Sequence, residues 1–170
     1  MAKNDKGAGC TYPSDIRLYG IYENKRFLVT LDGVDIWLPL IQYRYFFIMA
    51  VYALTSESGW VQKSILDGTS PAINQYLHKL RNEIKRKMGR KWLWPIISQR
   101  KGNVVRLRLN DDSIDINPAI SILPETNINS PDSLVRKFSK LYIENREKKI
   151  QERKKALARQ SAGKPLSRSA

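Results

Sequence analysis

The chain has little of what most catalytic and membrane-anchoring chemistries require. Its single cysteine, Cys10, excludes an intramolecular disulfide framework and suits a reducing compartment. Its single histidine, His78, has no cysteine near it, so zinc-ligand spacing is missing. There is no Gly-rich phosphate loop and no Ser–His or Cys–His arrangement. Asp111, Asp112 and Asp115 lie close together, but an acid–base pair or metal site needs a partner constellation, and a polar linker is the better account. No catalytic residue, metal or cofactor is therefore expected. The most apolar run, Leu40–Leu54, is too short to span a bilayer and contains Gln42 and Arg44, which makes it a buried core helix. The N-terminus has no apolar signal-peptide core. A cytoplasmic protein without a membrane partner is the expectation.

Charge of one sign is nearly missing from one stretch. Pro71–Arg108 carries eleven Lys/Arg and a single acidic residue, Glu83. Residues 1–70 balance seven basic residues with seven acidic ones, 109–132 carry five acidic and no basic residues, and 133–170 carry twelve basic against three acidic. The total of +14 thus comes from two basic blocks with an acidic bridge between them. Solubility alone does not concentrate charge this way, and nucleic acid is favoured over an anionic membrane.

Hydrophobic residues make up 42% of the chain, enough for a core, and their spacing orders the elements. Residues 1–14 read as unstructured and Ile16–Tyr22 as a strand. Phe27–Leu31 and Val34–Leu38 flank Asp32-Gly33, a hairpin signal because both turn positions need positive φ. Pro39 suits the first turn of a helix that runs to Leu54, and Trp60–Leu66 suits a short second helix. Ser70-Pro71 opens a long helix over 71–88, in which Ile73, Leu77, Leu80, Ile84 and Met88 form one apolar stripe. Gln99–Asn103 is a turn, followed by a strand, Val104–Leu109, with Arg106 and Arg108 pointing outward. Residues 111–130 read as an acidic, irregular linker. Ser130-Pro131-Asp132 opens a basic helix over 131–159 whose apolar stripe, Leu134, Phe138, Leu141 and Tyr142, fades after Ile143. Residues 160–170 read as a disordered tail.

This order of elements resembles the winged-helix effector domain of the OmpR/PhoB family of bacterial response regulators. Ile73, Leu77 and Leu80-Arg81-Asn82-Glu83-Ile84 fall in register with the family's recognition-helix motif. Leu31-Asp32-Gly33-Val34-Asp35-Ile36-Trp37-Leu38-Pro39 is similar to its strand–turn–strand entry to the first helix, and Arg100-Lys101-Gly102-Asn103-Val104-Val105-Arg106-Leu107 to the end of its wing. Glu83 stands where the family has Lys, Val104 replaces the wing aromatic, and no phosphorylatable receiver accompanies the match. The resemblance implies an α+β winged helix-turn-helix over 15–110, with N-terminal antiparallel strands and a C-terminal β-hairpin wing, extended by the basic helix. It also implies duplex-DNA binding, and so a transcriptional regulator; docking on RNA polymerase belongs to the rival reading as a protein-interaction module.

At 100° per residue, Gln75, Lys79, Asn82 and Arg86 lie opposite the apolar stripe with His78 beside them, types suited to base edges in a major groove. Lys85 and Lys87, with Arg86, suit phosphates at the helix end. Gln99, Arg100, Lys101 and Asn103 sit where a wing reaches backbone or minor groove. Arg81 lies nearer the stripe and reads equally as a packing residue, a salt-bridge residue or a phosphate clamp. Trp92 and Trp94 can stack on unpaired bases, but closing a core is the more common role for such residues. A solvated charged face is the bland reading of the same helix. Two rival functions remain. One is a non-sequence-specific nucleoprotein or RNA-binding factor using the basic C-terminal helix; the other is a protein-interaction module. Leu134, Phe138 and Leu141 also offer a homodimer contact.

Overall fold

The computed structural model describes Pro13 and residues 15–68, 70–89, 97–107 and 119–162. The fold is mixed α+β, with an N-terminal sheet and a long C-terminal helix. The sheet contains β1 (Asp15–Leu18), β2 (Tyr22–Glu23), β3 (Arg26–Leu31), β4 (Val34–Pro39) and, from much later in the chain, β8 (Ala119–Ile122). β4 runs antiparallel to β3 along its whole length, from Leu31↔Val34 to Arg26↔Pro39. The Asp32-Gly33 turn between them has φ of 48° and 79°, as a tight hairpin requires. β1 and β2 share the other edge of β3, and β8 lies parallel to β1.

Alternation sends Ile16, Leu18, Phe27, Val29, Leu31, Ile36 and Leu38 into one core. That core is filled by α1 (Leu40–Thr55), which is apolar nearly all round and buries every residue from Tyr45 to Val51. The Phe27 and Tyr43 rings stack with centroids 4.2 Å apart. Each such side chain contributes roughly 1.5–3 kcal/mol on burial. Around α1 follow β5 (Val61–Gln62), α2 (Lys63–Asp67), α3 (Ile73–Met88) and a hairpin, β6 (Ile97–Arg100) and β7 (Val104–Leu107). β5 pairs with β7, which gives a second, three-stranded sheet.

Several expectations need correction or trimming. Trp60–Leu66 is not one helix: Val61 and Gln62 pair with Val105 and Val104, and only 63–67 is helical. The hairpin offers Val61 a buried strand partner, and that tertiary contact overrides the local helical reading. The helix expected from Pro71 begins at Ile73; Ser70 Oγ accepts the Ala72 N–H at 3.3 Å in a turn that precedes it. The second Ser-Pro start behaves similarly. α5 spans Ser133–Ala162, and Asp132 rather than Ser130 caps it, accepting the Leu134 and Val135 N–H groups at 2.9 and 3.0 Å. The helix also continues through residues 160–162, expected to be disordered.

The latter part of the expected irregular linker is ordered, as β8 and the short helix α4 (Pro124–Asn127). Asn127 holds this segment. Its Nδ2 donates to the Leu18 and Leu123 carbonyls at 3.0 and 2.8 Å, while Oδ1 accepts the Tyr43 hydroxyl at 2.7 Å. Burial pushes the Tyr43 phenol up, against smaller opposing effects from the Gly20 backbone and Asn127. Gly20, at φ +70°, passes so close that a Cβ there would stand 3.0 Å from Asn127 Oδ1. The expectations for residues 1–12, 14, 111–118 and 163–170, and those for Trp92, Trp94 and Arg108, lie outside the described residues.

Candidate nucleic-acid interface

α3 is amphipathic because its apolar residues recur every three or four positions. Ile73, Leu77, Leu80, Ile84 and Met88 are buried against α1, α2 and β4. The opposite face carries Gln75, His78, Lys79, Asn82, Lys85, Arg86 and Lys87, all exposed. The structure therefore brings the row inferred from helical period onto one solvent-facing surface. Within that row Asn82 Nδ2 and His78 Nε2 lie 2.9 Å apart, one turn from each other. Lys79 Nζ stands 5.6 Å from the centre of the Tyr76 ring. Arg86 Nη2 donates to Glu83 Oε1 at 2.6 Å, so the one carboxylate of the basic stretch is already engaged. Lys85, Arg86 and Lys87 occupy the last turn, where the helix dipole favours cations by about 0.3–1 kcal/mol each.

Arg81 is half-buried, and burial holds its guanidinium below its usual range. Among the described residues it has no ion pair. Its charged neighbour is instead Lys63 at the start of α2, whose ammonium is lowered first by burial and then by the Arg81 charge. An incoming anion near these two like charges would relieve their repulsion. Lys63 also fixes the hairpin. Its backbone N–H donates to Asn103 O at 2.8 Å and its Nζ to Asn74 Oδ1 at 2.7 Å. The hairpin tip and the start of α3 consequently border one open notch of about 450 Å³, lined by Lys63, Ser70, Asn74, Gly102 and Asn103.

The turn itself is Lys101-Gly102-Asn103, with positive φ at Gly102 and Asn103; Gln99 and Arg100, placed in the turn by sequence, belong to β6. Gln99, Arg100, Lys101 and Asn103 are all exposed. Arg100 and Arg106 both lie over the Trp60 ring, with guanidinium carbons 4.9 and 4.6 Å from its centre. Arg106 also donates to Ser58 O at 3.3 Å. It is half-buried rather than turned fully outward, because Trp60 offers it an aromatic face. Trp60 and Lys63 were not singled out from the sequence. Their roles depend on β5 pairing with β7, a contact across more than forty residues.

The second basic block is arranged differently. The first turns of α5 pack on α1, with Val135 and Phe138 buried and the Phe138 ring 6.1 Å from that of Tyr52. Leu134 also packs on this core, so Leu134 and Phe138 are engaged within the chain while Leu141 is exposed. From Arg146 to Ala162 every residue is exposed. The base of α5 is fastened by Arg44. Its Nε and Nη2 donate to Asp132 Oδ2 at 2.7 and 2.6 Å, and its Nη1 to Asp67 Oδ1 at 3.0 Å. Burial acts to lower the Arg44 guanidinium, but the hydrogen bonds and charges of Asp132 and Asp67 outweigh it and raise the group above its usual range. Tyr45 completes the cluster by donating to Asp67 Oδ2 at 2.8 Å.

Among the described residues, no helix is long and apolar enough to cross a membrane, and no group of three or more His, Cys, Asp or Glu side chains converges as a metal site. No protein-family model matches the sequence, and neither a curated protein nor a solved structure matches the chain.

Proposed function

We propose that this protein is a winged-helix, duplex-DNA-binding protein that acts as a transcriptional regulator, with α3 in the major groove and the β6–β7 hairpin as its wing. The observation that carries the reading is the surface of α3. Its apolar face is consumed by the core, its polar face is exposed along four turns, and the basic hairpin borders its N-terminal end. The order α1, β5, α2, α3, β6, β7 supports it, since a helix and a hairpin set side by side suit one groove and its flanking backbone. Gln75 and Asn82 are the candidates for adenine and Lys79 for guanine, while Lys63, Arg81 and Arg100 are candidates for phosphates.

Selection of bound sequences from a random duplex library at near-physiological salt tests this reading. An enriched motif is expected, and retention without a motif would sink it. Arg100→Ala is expected to weaken binding evenly across sequences and to lower the dependence of log K on log salt by about 0.9 for a single lost phosphate contact.

One observation favours a second reading, a non-sequence-specific nucleoprotein or RNA-binding factor. The outer part of α5 carries seven Lys/Arg against two Glu between residues 146 and 162, exposed on every side. Competition between duplex-DNA and structured-RNA pools, with and without residues 146–170, separates the two. Retention of RNA over DNA that disappears with the truncation favours the second.

A further inference from the structure

On the flank of α3 away from the hairpin notch, the corner between β4 and α1 encloses a cleft of about 310 Å³. Lys79, Asn82 and Arg86 line it from α3, and Arg26 lines it from β3. The start of α1 contributes Pro39 and Gln42. The one carboxylate at its edge, Glu83, is held by Arg86, which leaves an excess of positive charge around the opening. Arg26 is steadied by donating from Nη1 to the Trp37 carbonyl at 3.1 Å.

Two features of α1 turn this charge into a site. First, the helix begins without compensation. Pro39 at its N-cap makes no side-chain capping bond, and no acidic residue occupies the first turn of these sixteen residues. The first turn of α1 therefore has neither a capping side chain from Pro39 nor a carboxylate, and its positive dipole end favours an anion. Second, Gln42 stands at the third helical position, where a Gln ordinarily reaches back to accept the N–H of the N-cap residue. Pro39 has no N–H to offer. Gln42 is 9% exposed, and its Oε1 is buried with no hydrogen-bond partner. A buried, unsatisfied carbonyl oxygen at a positively charged helix end calls for a hydrogen-bond donor, which a water or a protonated ligand can supply.

We propose that this cleft binds a phosphate group. Its oxygens would accept from Arg26 and the first N–H groups of α1, with the charge of Lys79 at the edge of the cleft. Inorganic phosphate, which retains a P–OH near neutral pH, can also donate to Gln42 Oε1; a monoester does so only as its monoanion, below about pH 6. A phosphodiester has no such proton and would take the amide in its flipped orientation, through Nε2. The two sources of the group are a free phosphate compound and the backbone of a bound nucleic acid. The first does not rest on the DNA-binding reading; the second does.

The test titrates the full chain with inorganic phosphate at constant ionic strength, with chloride as the balancing salt, and follows the backbone amide resonances of Leu40, Ile41 and Gln42. Arg26→Gln and Gln42→Leu are measured in parallel, each checked for a cooperative melt, and duplex-DNA affinity is measured for all three proteins. For a free phosphate ligand, saturable shifts of those amides are expected in the wild type, with affinity lowered about tenfold in each variant, the loss expected for one charge-assisted hydrogen bond. For a backbone phosphate, the shifts with free phosphate are small and both variants weaken duplex binding about tenfold, evenly across sequences. Amide shifts no larger than those from chloride, together with unchanged duplex affinity in both variants, overturn the site. Should the wild type retain no duplex at all, the DNA-binding reading fails and the phosphate titration alone decides the site.

Discussion

α3 and α5 are both basic helices, but only one of them holds its charges in place. α3 buries five residues at helical spacing, and the rest of its surface is thereby fixed relative to the hairpin. α5 is nearly twice as long and buries only Val135, Phe138 and Ser139, all in its first turns. Beyond Arg146 its side chains have solvent on every side. Equal charge density therefore supports different work. A face held by a core can set donors in a fixed pattern, which base readout requires. A free rod supplies a field, which raises affinity and encounter rate without distinguishing one sequence from another.

The contrast is most sharply tested by removing matched leucines. Leu80 is fully buried under α3, and Leu80→Ala is expected to cost about 2–5 kcal/mol in urea unfolding. Leu157 on the outer part of α5 is 66% exposed, and Leu157→Ala is expected to stay within about 0.5 kcal/mol. Similar losses at the two positions would erase the distinction. Next in size is Asp132→Ala, which strips the cap from α5 and leaves Arg44 with Asp67 alone; a loss of about 2–4 kcal/mol is expected. Hydrogen exchange should then show lost protection over residues 133–139, and unchanged protection there would mean that α5 is fastened by something else.

A smaller effect is expected from Gln75→Ala or Asn82→Ala: about 1–3 kcal/mol of discrimination lost at one base position in the selected motif. An unchanged motif in both would reduce α3 to the role assigned to α5. The smallest effect has the opposite sign. Gln42→Leu removes an unpaired buried acceptor and is expected to raise stability by about 1 kcal/mol in phosphate-free buffer, measured by the urea midpoint.

Short-range order was legible in the sequence wherever one period dominated. The Asp32-Gly33 hairpin, the α1 core helix and the stripe of α3 follow from two-residue and 3.6-residue spacing, and their boundaries shift by only one or two residues. The polar row of α3 was legible for the same reason. What escaped depends on partners distant in the chain. Val61 is a strand residue only because Val105 lies beside it, and Ile120 and Ile122 only because β1 offers an edge. Lys63, Trp60 and Gln42 matter through what surrounds them: a second cation, two guanidiniums and a proline without an N–H. Asn127 looked like one more polar residue in an acidic bridge, yet it joins β1, α1 and α4 through three buried or part-buried hydrogen bonds.

The parallel pairing of β1 with β8 has a consequence for synthesis. Asp15 meets Ala119, so the chain must close a loop of about one hundred residues to finish its sheet. The entropy of such closure grows only logarithmically with length, but the step is non-local and comes late. Until β8 has emerged from the ribosome, β1 has β3 on one side and an open row of N–H and C=O groups on the other. A nascent or prematurely terminated chain ending before Ala119 therefore carries an unpaired edge, and a second copy of β1 can dock there. β8 is therefore the strand that closes an edge otherwise open to pairing with another chain.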